Sequence, residues 1–312
     1  MPLRGFFSRQ FTRATKCDPR GPLLGTARTL LALADLSVLA FTADRDLFLR
    51  ETATVTAGRC DGVRALSLWC LAGPHPAALL TCRVVAILVF AVVATGFCPR
   101  WTCVPHWYLA FSLGTAMTVA NGGEGVDRIV TLLLIPLCLG DTRTWHWSRS
   151  GDPLGPGWRG SAYVALLFVR AQVFVVYLNS AVAKVVNPQW RDGSAFAGLV
   201  DDPYYGAPQW IRESLGPLFS AGPVAVVLGW AVVIAEACIA VLMTGTVRAR
   251  RWAVTLALLL HGAIVVMMGL VSFGLVMIAT VLFASVPAVA GGVGTAKARA
   301  QSVAPPGRIG MT

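Results

Sequence analysis

The stretch that most constrains the fold is SAYVALLFVRAQVFVVYLNSAVAK, residues 161–184. It is dominated by apolar residues and carries only two charges, Arg170 and Lys184. Because an α-helix rises 1.5 Å per residue, about 20 such residues cross the roughly 30 Å hydrocarbon core of a bilayer. The stretch therefore predicts a membrane-spanning helix.

Similar apolar runs recur along the whole chain, which is 56% hydrophobic and only 13% charged. A soluble domain carries about 25% charged residues. The runs are continuous rather than alternating, which argues against a transmembrane barrel. The other seven predicted helices are about 23–41, 77–97, 107–120, 126–141, 220–245, 252–268 and 270–291.

We therefore predict an all-α fold, a polytopic transmembrane helical bundle of about eight helices. The range is six to nine, because the short runs 107–120 and 126–141 form either two spans or one re-entrant hairpin around Asn121-Gly122-Gly123. Basic residues concentrate in the loops 142–160 and 246–251 and in both tails, and this pattern favours an N-in/C-in orientation with an even number of spans.

This orientation divides the chain into three parts. Residues 1–22 are predicted to be a basic cytoplasmic tail, residues 23–291 the transmembrane domain, and residues 292–312 a disordered cytoplasmic tail rich in small residues. We expect the protein in a bacterial plasma membrane, with the lipid bilayer as its main partner.

Two longer loops fall on the outer side. The loop 42–76 contains Cys60 and Cys70, which either form a disulfide in an oxidising exterior or remain reduced. The loop 185–219 is rich in aromatic residues and prolines. Aromatic side chains favour the headgroup level of a bilayer, so we predict a short amphipathic helix near 208–216 on the outer surface.

The formal net charge of +11 is also typical of nucleic-acid-binding proteins. Here basic residues between spans explain it, so we predict no nucleic-acid partner. The cysteines form no CxxC motif and the four histidines are scattered, so we predict no metal site.

The polar residues of the run 161–184 are regularly spaced. Arg170, Tyr177 and Lys184 are seven residues apart and share one stripe of a helix, since a step of seven drifts only about 20°. Lys184 has two interpretations. Its amine either extends to the membrane surface or is desolvated and acts as a general base.

Other ionisable residues inside predicted spans also mark candidate sites, because charge is costly there. Asp127 lies near the start of a helix, where the dipole favours negative charge, and is either structural or catalytic. His261 is a ligand, a proton relay or a hydrogen-bonded core residue, and Glu236 is its candidate partner.

Several motifs resemble a known family. YLNSAVAK at 177–184, followed by WRDG at 190–193, resembles the horizontally transferred transmembrane domain that vitamin-K-dependent gamma-glutamyl carboxylase contains. Further stretches are similar to one bacterial branch, the sporulation-delaying protein B family. They are Asn121-Gly122-Gly123, IPLCLGD at 135–141, Trp145-His146-Trp147, and His261 with Met268-Gly269-Leu270 and Ser272-Phe273.

The resemblance implies a helical bundle over about Gly25 to Ala290, with Lys184 in the position of the carboxylase's catalytic base. It also implies a reduced quinone as a cofactor that reaches the site from the bilayer. The chain lacks the large lumenal domain of the carboxylase, and the segment around Asn121 lacks a matching histidine. Glutamate carboxylation is therefore not implied.

The leading hypothesis is a membrane protein that assists the modification or maturation of an exported peptide, together with a small partner protein. Lys184 is the candidate base, and Asp127, His261 and Asp192 are supporting candidates, although Asp192 is also read as a solvated loop carboxylate. The alternatives are a transporter or peptide-immunity protein, in which Arg170, Glu236 and His261 line a pathway, and a non-catalytic assembly factor.

Overall fold

A computed structural model of the chain describes most of its residues. The described residues are 2–47, 50–51, 54–55, 60–73, 75–117, 122–148, 152, 154–202, 205–220 and 222–288. Asn121 and the predicted tail 292–312 lie outside them.

The eight longest helices of the described chain coincide with the eight predicted ones. They are α2 (Pro22–Phe41), α5 (Pro76–Thr95), α6 (Pro99–Ala116), α7 (Gly123–Cys138), α8 (Pro156–Val186), α12 (Gly222–Met243), α13 (Val247–Met268) and α14 (Val271–Ser285).

Shorter elements add to this set, so the count of about eight helices needs correction. The described residues form fourteen α-helices, because short segments outside the apolar runs also fold into helices. The short helices are α1 (Pro2–Thr15), α3 (Asp44–Leu47), α4 (Leu68–Ala72), α9 (Pro188–Arg191), α10 (Ser194–Val200) and α11 (Gln209–Ser220). A 3-10 turn spans Gly62–Leu66, and two-residue strands β1 (Arg50–Glu51) and β2 (Thr54–Val55) pair antiparallel.

Two helix boundaries differ clearly from the prediction. Helix α6 begins at Pro99 rather than near 107, because Pro99 occupies the first helical turn and the internal Pro105 is tolerated. Helix α14 ends at Ser285 rather than near 291. Val286 precedes Pro287, and a residue before proline is disfavoured in the helical conformation. Helix α11 matches the amphipathic helix predicted near 208–216.

The core is divided into two clusters. The larger one joins buried side chains of α2, α7, α8, α12, α13 and α14, and the smaller one joins α2, α5 and α6 with Trp69 of α4. Helix α14 packs against α2, α7, α8 and α13 and is therefore the central element of the larger cluster.

Within the described part of the chain, five helices are long and apolar enough to cross a membrane: α2, α5, α8, α12 and α13. Large apolar side chains project from their outward faces, for example Leu88 at 61% exposure and Leu259 at 67%. Such a surface is unfavourable in water and favourable in lipid. The chain is therefore a membrane protein, while the N-in/C-in orientation remains a prediction.

One end of the bundle, which we call the basic end, gathers arginines from segments far apart in sequence. Arg20 forms an ion pair with Asp18 at 2.7 Å and donates to the carbonyl oxygen of Asp152, and Arg159 donates to that of Thr15. Arg13 and Arg250 also lie close enough to repel each other. Helices α9 to α11 lie at the opposite end, which we call the α9–α11 end.

The Asp18 carboxylate gives the basic end a pH-dependent stability. Burial alone would raise the pKa of Asp18, but hydrogen bonds from Arg20 and from the backbone amide of Leu154 outweigh it and lower the pKa. A carboxyl group with a lowered folded-state pKa stabilises the fold above its unfolded pKa, about 3.9, and loses this contribution as pH falls through the folded value.

We therefore expect Asp18→Asn to lower the thermal unfolding temperature at neutral pH, and the difference from the wild type to shrink as pH falls below about 4. Thermal unfolding in detergent over a pH series measures this. Asp201→Asn, which changes an exposed carboxylate, serves as the control. A pH-independent difference would contradict the role of the Asp18 charge.

The segment before α5 is closed by a disulfide between Cys60 and Cys70, whose Cα atoms lie 5.6 Å apart. Its neighbour Trp69 is fully buried in the smaller core cluster. The bond therefore ties an exposed turn to that core. The other six cysteines are free thiols.

We expect the double replacement of Cys60 and Cys70 by serine to lower the free energy of unfolding by roughly 2–3 kcal/mol, because a short closed loop then gains freedom in the unfolded chain. Chemical denaturation in detergent tests this. Cys238→Ser, at an exposed free thiol, should leave stability unchanged. An equal loss in both variants would show that the bridge itself does not stabilise the fold.

Candidate functional site

The end of α8 carries a charged cluster inside the bundle. The Nζ of Lys184 lies 2.9 and 3.0 Å from the two carboxylate oxygens of Glu236 on α12, and it donates to the Oγ of Ser180 at 2.6 Å. Ser180 in turn donates to Glu236 Oε1 at 3.0 Å. The side chains of Lys184 and Glu236 are only 18% and 11% exposed, so this is a largely buried ion pair.

Short segments after α8 place an aromatic ring beside this pair. Asn187 ends α8 and caps α9 by accepting a hydrogen bond from the Gln189 amide at 3.0 Å. The centre of the Trp190 ring lies 5.2 Å from Lys184 Nζ. At this distance the face of an aromatic ring attracts a cation. Gly229 permits this approach, because a Cβ there would lie 3.3 Å from the Trp190 carbonyl oxygen.

A second buried polar pair lies two turns before Lys184 along α8. The Tyr177 hydroxyl is 2.7 Å from Nε2 of His261 on α13, and Phe273 of α14 packs edge-on to the same imidazole at 5.5 Å. Tyr177 is three residues before Ser180 on α8, so this pair adjoins the Lys184–Glu236 pair. We call the five residues Lys184, Glu236, Ser180, Tyr177 and His261 the Lys184 site.

The remaining predicted intramembrane residues do not join this site. Arg170 lies two turns before Tyr177 and donates to the backbone carbonyl oxygens of Ala284 at 3.0 Å and Val286 at 2.7 Å. It therefore belongs to the packing of α8 against the end of α14. Glu236 pairs with Lys184 rather than with His261, so the suggested Glu236–His261 partnership is wrong.

Asp127 belongs to a separate group, which we call the carboxyl cluster: Asp35 of α2, His106 of α6, and Glu124 and Asp127 of α7. The buried carboxyl groups of Asp35 and Asp127 line the same small cavity. His106 Nε2 lies 4.0 Å from Asp35 Oδ2. Ser272, next to Phe273, lines the small cavity beside this cluster, so α14 stands between the two groups.

Asp192 lies in neither group. It is exposed, and its Oδ1 accepts hydrogen bonds from the Ser194 amide at 2.9 Å and the Ser194 hydroxyl at 2.7 Å. These bonds lower the pKa of Asp192. Its geometry is that of a carboxylate stabilising the turn before α10.

An apolar groove of about 450 Å³ runs between α12 and α13 beneath α10. Ala235 and Leu260 belong to its lining and are the sequence neighbours of Glu236 and His261. Leu228 and Met267 line its end near α10 and α11. The groove therefore runs alongside the Lys184 site. No group of three or more potential metal ligands occurs in the described part of the chain.

Sequence reasoning missed two members of these groups, Ser180 and His106. Ser180 is four residues before Lys184, a spacing at which helix residues face each other, and this signal was available. His106 lies before the predicted start of its helix near 107, and no local pattern indicates that it approaches Asp35 or that Asp35 meets Asp127.

Comparison with curated proteins finds similarity over most of the chain. The sporulation-delaying protein SdpB of Bacillus subtilis (strain 168) is 30% identical over 256 residues, which cover 82% of this chain and 78% of SdpB. The chain belongs to the SdpB family. The uncharacterized protein YitO of the same organism is 29% identical over 270 residues, covering 84% of this chain and 85% of YitO.

No family model matches this SdpB-family chain, and no solved structure is detectably similar to it.

The two side chains of the Lys184–Glu236 pair in this SdpB-family protein should depend on each other for stability. Breaking a buried ion pair from one side leaves an uncompensated charge and costs about 3 kcal/mol or more, while replacing both partners by apolar residues is often nearly neutral. We expect Glu236→Gln to lower the unfolding temperature strongly and the combined Lys184→Met and Glu236→Met replacement to restore most of it.

Thermal unfolding of the purified variants in detergent measures this coupling. Glu213→Gln, at an exposed carboxylate on α11, is the matched control. Additive losses in the double variant would show that the two side chains do not stabilise each other.

Proposed function

We propose that this SdpB-family protein assists the modification or maturation of an exported peptide at the outer face of the plasma membrane, with Lys184 as the proton-accepting group. The observation that carries this proposal is the buried Lys184–Glu236–Ser180 cluster at the end of α8. In the proposed orientation, with the α9–α11 end outside, this cluster would lie on the side of the exported substrate.

Lys184 must first lose a proton to act as a base. In the ion pair it is an ammonium, whose three N–H bonds point to acceptors on Glu236 and Ser180. Transfer of one proton from Nζ to a Glu236 oxygen along the 2.9 Å contact gives a neutral amine and a neutral carboxylic acid. Because burial disfavours charged forms, a low-dielectric surrounding lowers the free-energy cost of converting the contact ion pair into this neutral pair.

The neutral amine then accepts a proton from the substrate, and Glu236 retains the transferred one. Ser180 fixes the relative position of Lys184 and Glu236, because it accepts a hydrogen bond from Lys184 and donates one to Glu236. Tyr177 and His261 form the adjoining wall and supply a second pair of exchangeable protons. The small partner protein is proposed to bind at the α9–α11 end.

The likeness to the horizontally transferred transmembrane domain and to gamma-glutamyl carboxylase supports the role of Lys184 through YLNSAVAK and WRDG. It also implies a reduced quinone. The apolar groove suits the hydrocarbon tail of such a molecule, but none of its lining side chains is polar enough to hold the ring oxygens. We therefore derive no step through a quinone, and the groove equally suits an apolar segment of the peptide.

Replacement of Lys184 by alanine and by arginine tests the proposal. We expect both variants to insert and to lower maturation of the exported peptide by about 100-fold or more, the usual contribution of a general base. Maturation is followed by the mass of the secreted peptide. Lys16→Ala removes an exposed lysine near the basic end and is the matched control.

Three results would contradict the proposal. Full maturation with Lys184→Ala would show that the amine is dispensable. Retained maturation with Lys184→Arg alone would show that a fixed positive charge is needed rather than an exchangeable proton. Passage of the peptide across vesicles containing the purified protein, with no change in its mass, would indicate a transporter.

A further inference from the structure

The carboxyl cluster is distinct from the Lys184 site and has a different character. Asp127 and His106 are 2% and 1% exposed, and Asp35 is 8% exposed. One oxygen of each aspartate and the His106 Nε2 have no hydrogen-bond partner among the described residues. Unsatisfied buried polar atoms are rare in native proteins because each costs free energy, so three in one place require an explanation.

The closeness of Asp35 and Asp127 limits the protonation states that the two carboxyl groups can adopt. Both carboxyl groups line one small cavity. Ionised carboxylates only accept hydrogen bonds, so two adjacent carboxyl groups bond to each other only when one of them holds a proton. Two carboxylates in contact within a low-dielectric interior also repel each other strongly unless a proton lies between them. The geometry is that of a pair sharing one proton.

A cavity of about 20 Å³ adjoins this pair. Asp35, Asp127 and Glu124 all line it. A cavity of this size accommodates one water molecule, and the free oxygens of the two aspartates supply suitable partners for it. Glu124 is partly exposed in the first turn of α7, so a short polar route joins the pair to the surface at this end of the bundle.

Few positively charged side chains lie near Asp35 and Asp127. Arg128 on α7 influences Asp127, but its Nε donates to the Glu124 carbonyl oxygen at 3.3 Å. On α6, His106 approaches Asp35 and in turn feels the charge of Arg28 on α2.

The remaining neighbouring helices add no nearer charge among the described residues. Helix α5 contributes Phe90, which packs edge-on to His106, and α14 contributes Ser272 and Val276. The ionisable groups of α8 are engaged elsewhere, Arg170 with carbonyl oxygens and Lys184 with Glu236. A proton is therefore the cation best placed to neutralise the aspartate pair.

We propose that Asp35 and Asp127 form a proton-binding site of the bundle, which exchanges its proton through Glu124 with the solution at the start of α7. Uptake forms an O–H bond on the ionised member of the pair and leaves both carboxyl groups neutral. Release returns that proton by way of Glu124 and restores the shared-proton state. This is a second function-bearing site, separated from the Lys184 site by α14.

Infrared difference spectroscopy of the purified protein in lipid nanodiscs tests this directly, because the C=O stretch of a protonated carboxylic acid is separated from that of a carboxylate. We expect the wild type at neutral pH to show such a band, shifted in D₂O, and the combined Asp35→Asn and Asp127→Asn variant to lose it. Each single variant should shift or weaken the band. Asp201→Asn, at an exposed carboxylate, should leave it unchanged.

The isosteric asparagines keep size and hydrogen-bonding capacity, and a single symmetric elution peak confirms that each variant folds. A wild type without the band, or an unchanged band in the double variant, would overturn the proposal. Loss of the wild-type band on adding sodium ions at constant pH would overturn it in favour of a metal-cation site. Exchange in D₂O that is equally fast with Glu124→Gln would overturn the route through Glu124.

Discussion

The free-energy cost of placing charge inside an apolar bundle governs where the polar residues of this chain lie. Lys184 is neutralised by Glu236, and Arg170 is satisfied by two carbonyl oxygens at the end of α14. Among the described residues, Asp35 and Asp127 form no ion pair with an arginine or lysine, and the site proposed above has them share a proton. These are three different solutions to one constraint, and only the first and third leave a group whose protonation can change.

Helix α14 makes the coexistence of the two sites possible. Gly269, with a φ of 67°, gives the tight turn from α13. At Gly274 a Cβ would lie 2.3 Å from a methyl carbon of Val265, so a side chain there would force the two helices apart. The resulting close packing brings Phe273 onto His261 while Ser272 lines the cavity beside Asp127. One short helix thus contributes neighbouring residues to both sites and keeps them apart.

Sequence periodicity located the helices and the polar stripe of α8 because both are local properties. The seven-residue spacing of Tyr177 and Lys184 indicated one face, and both residues lie in the Lys184 site. The partner of Lys184 was beyond such reasoning, since Glu236 is brought to it by the antiparallel packing of α12 on α8.

The surroundings of Lys184 also restrict how a substrate reaches it. From the α9–α11 end, the ring of Trp190 lies against the ammonium, and α9 is held on α12 by the close approach at Gly229. Along the side of the bundle, the apolar groove passes Ala235 and Leu260, adjacent to Glu236 and His261, without a polar barrier in its lining. An apolar segment that enters from the bilayer therefore needs no displacement of α9. A chain that works on exported peptides by this route would select them by their apolar residues and act on them before they leave the membrane.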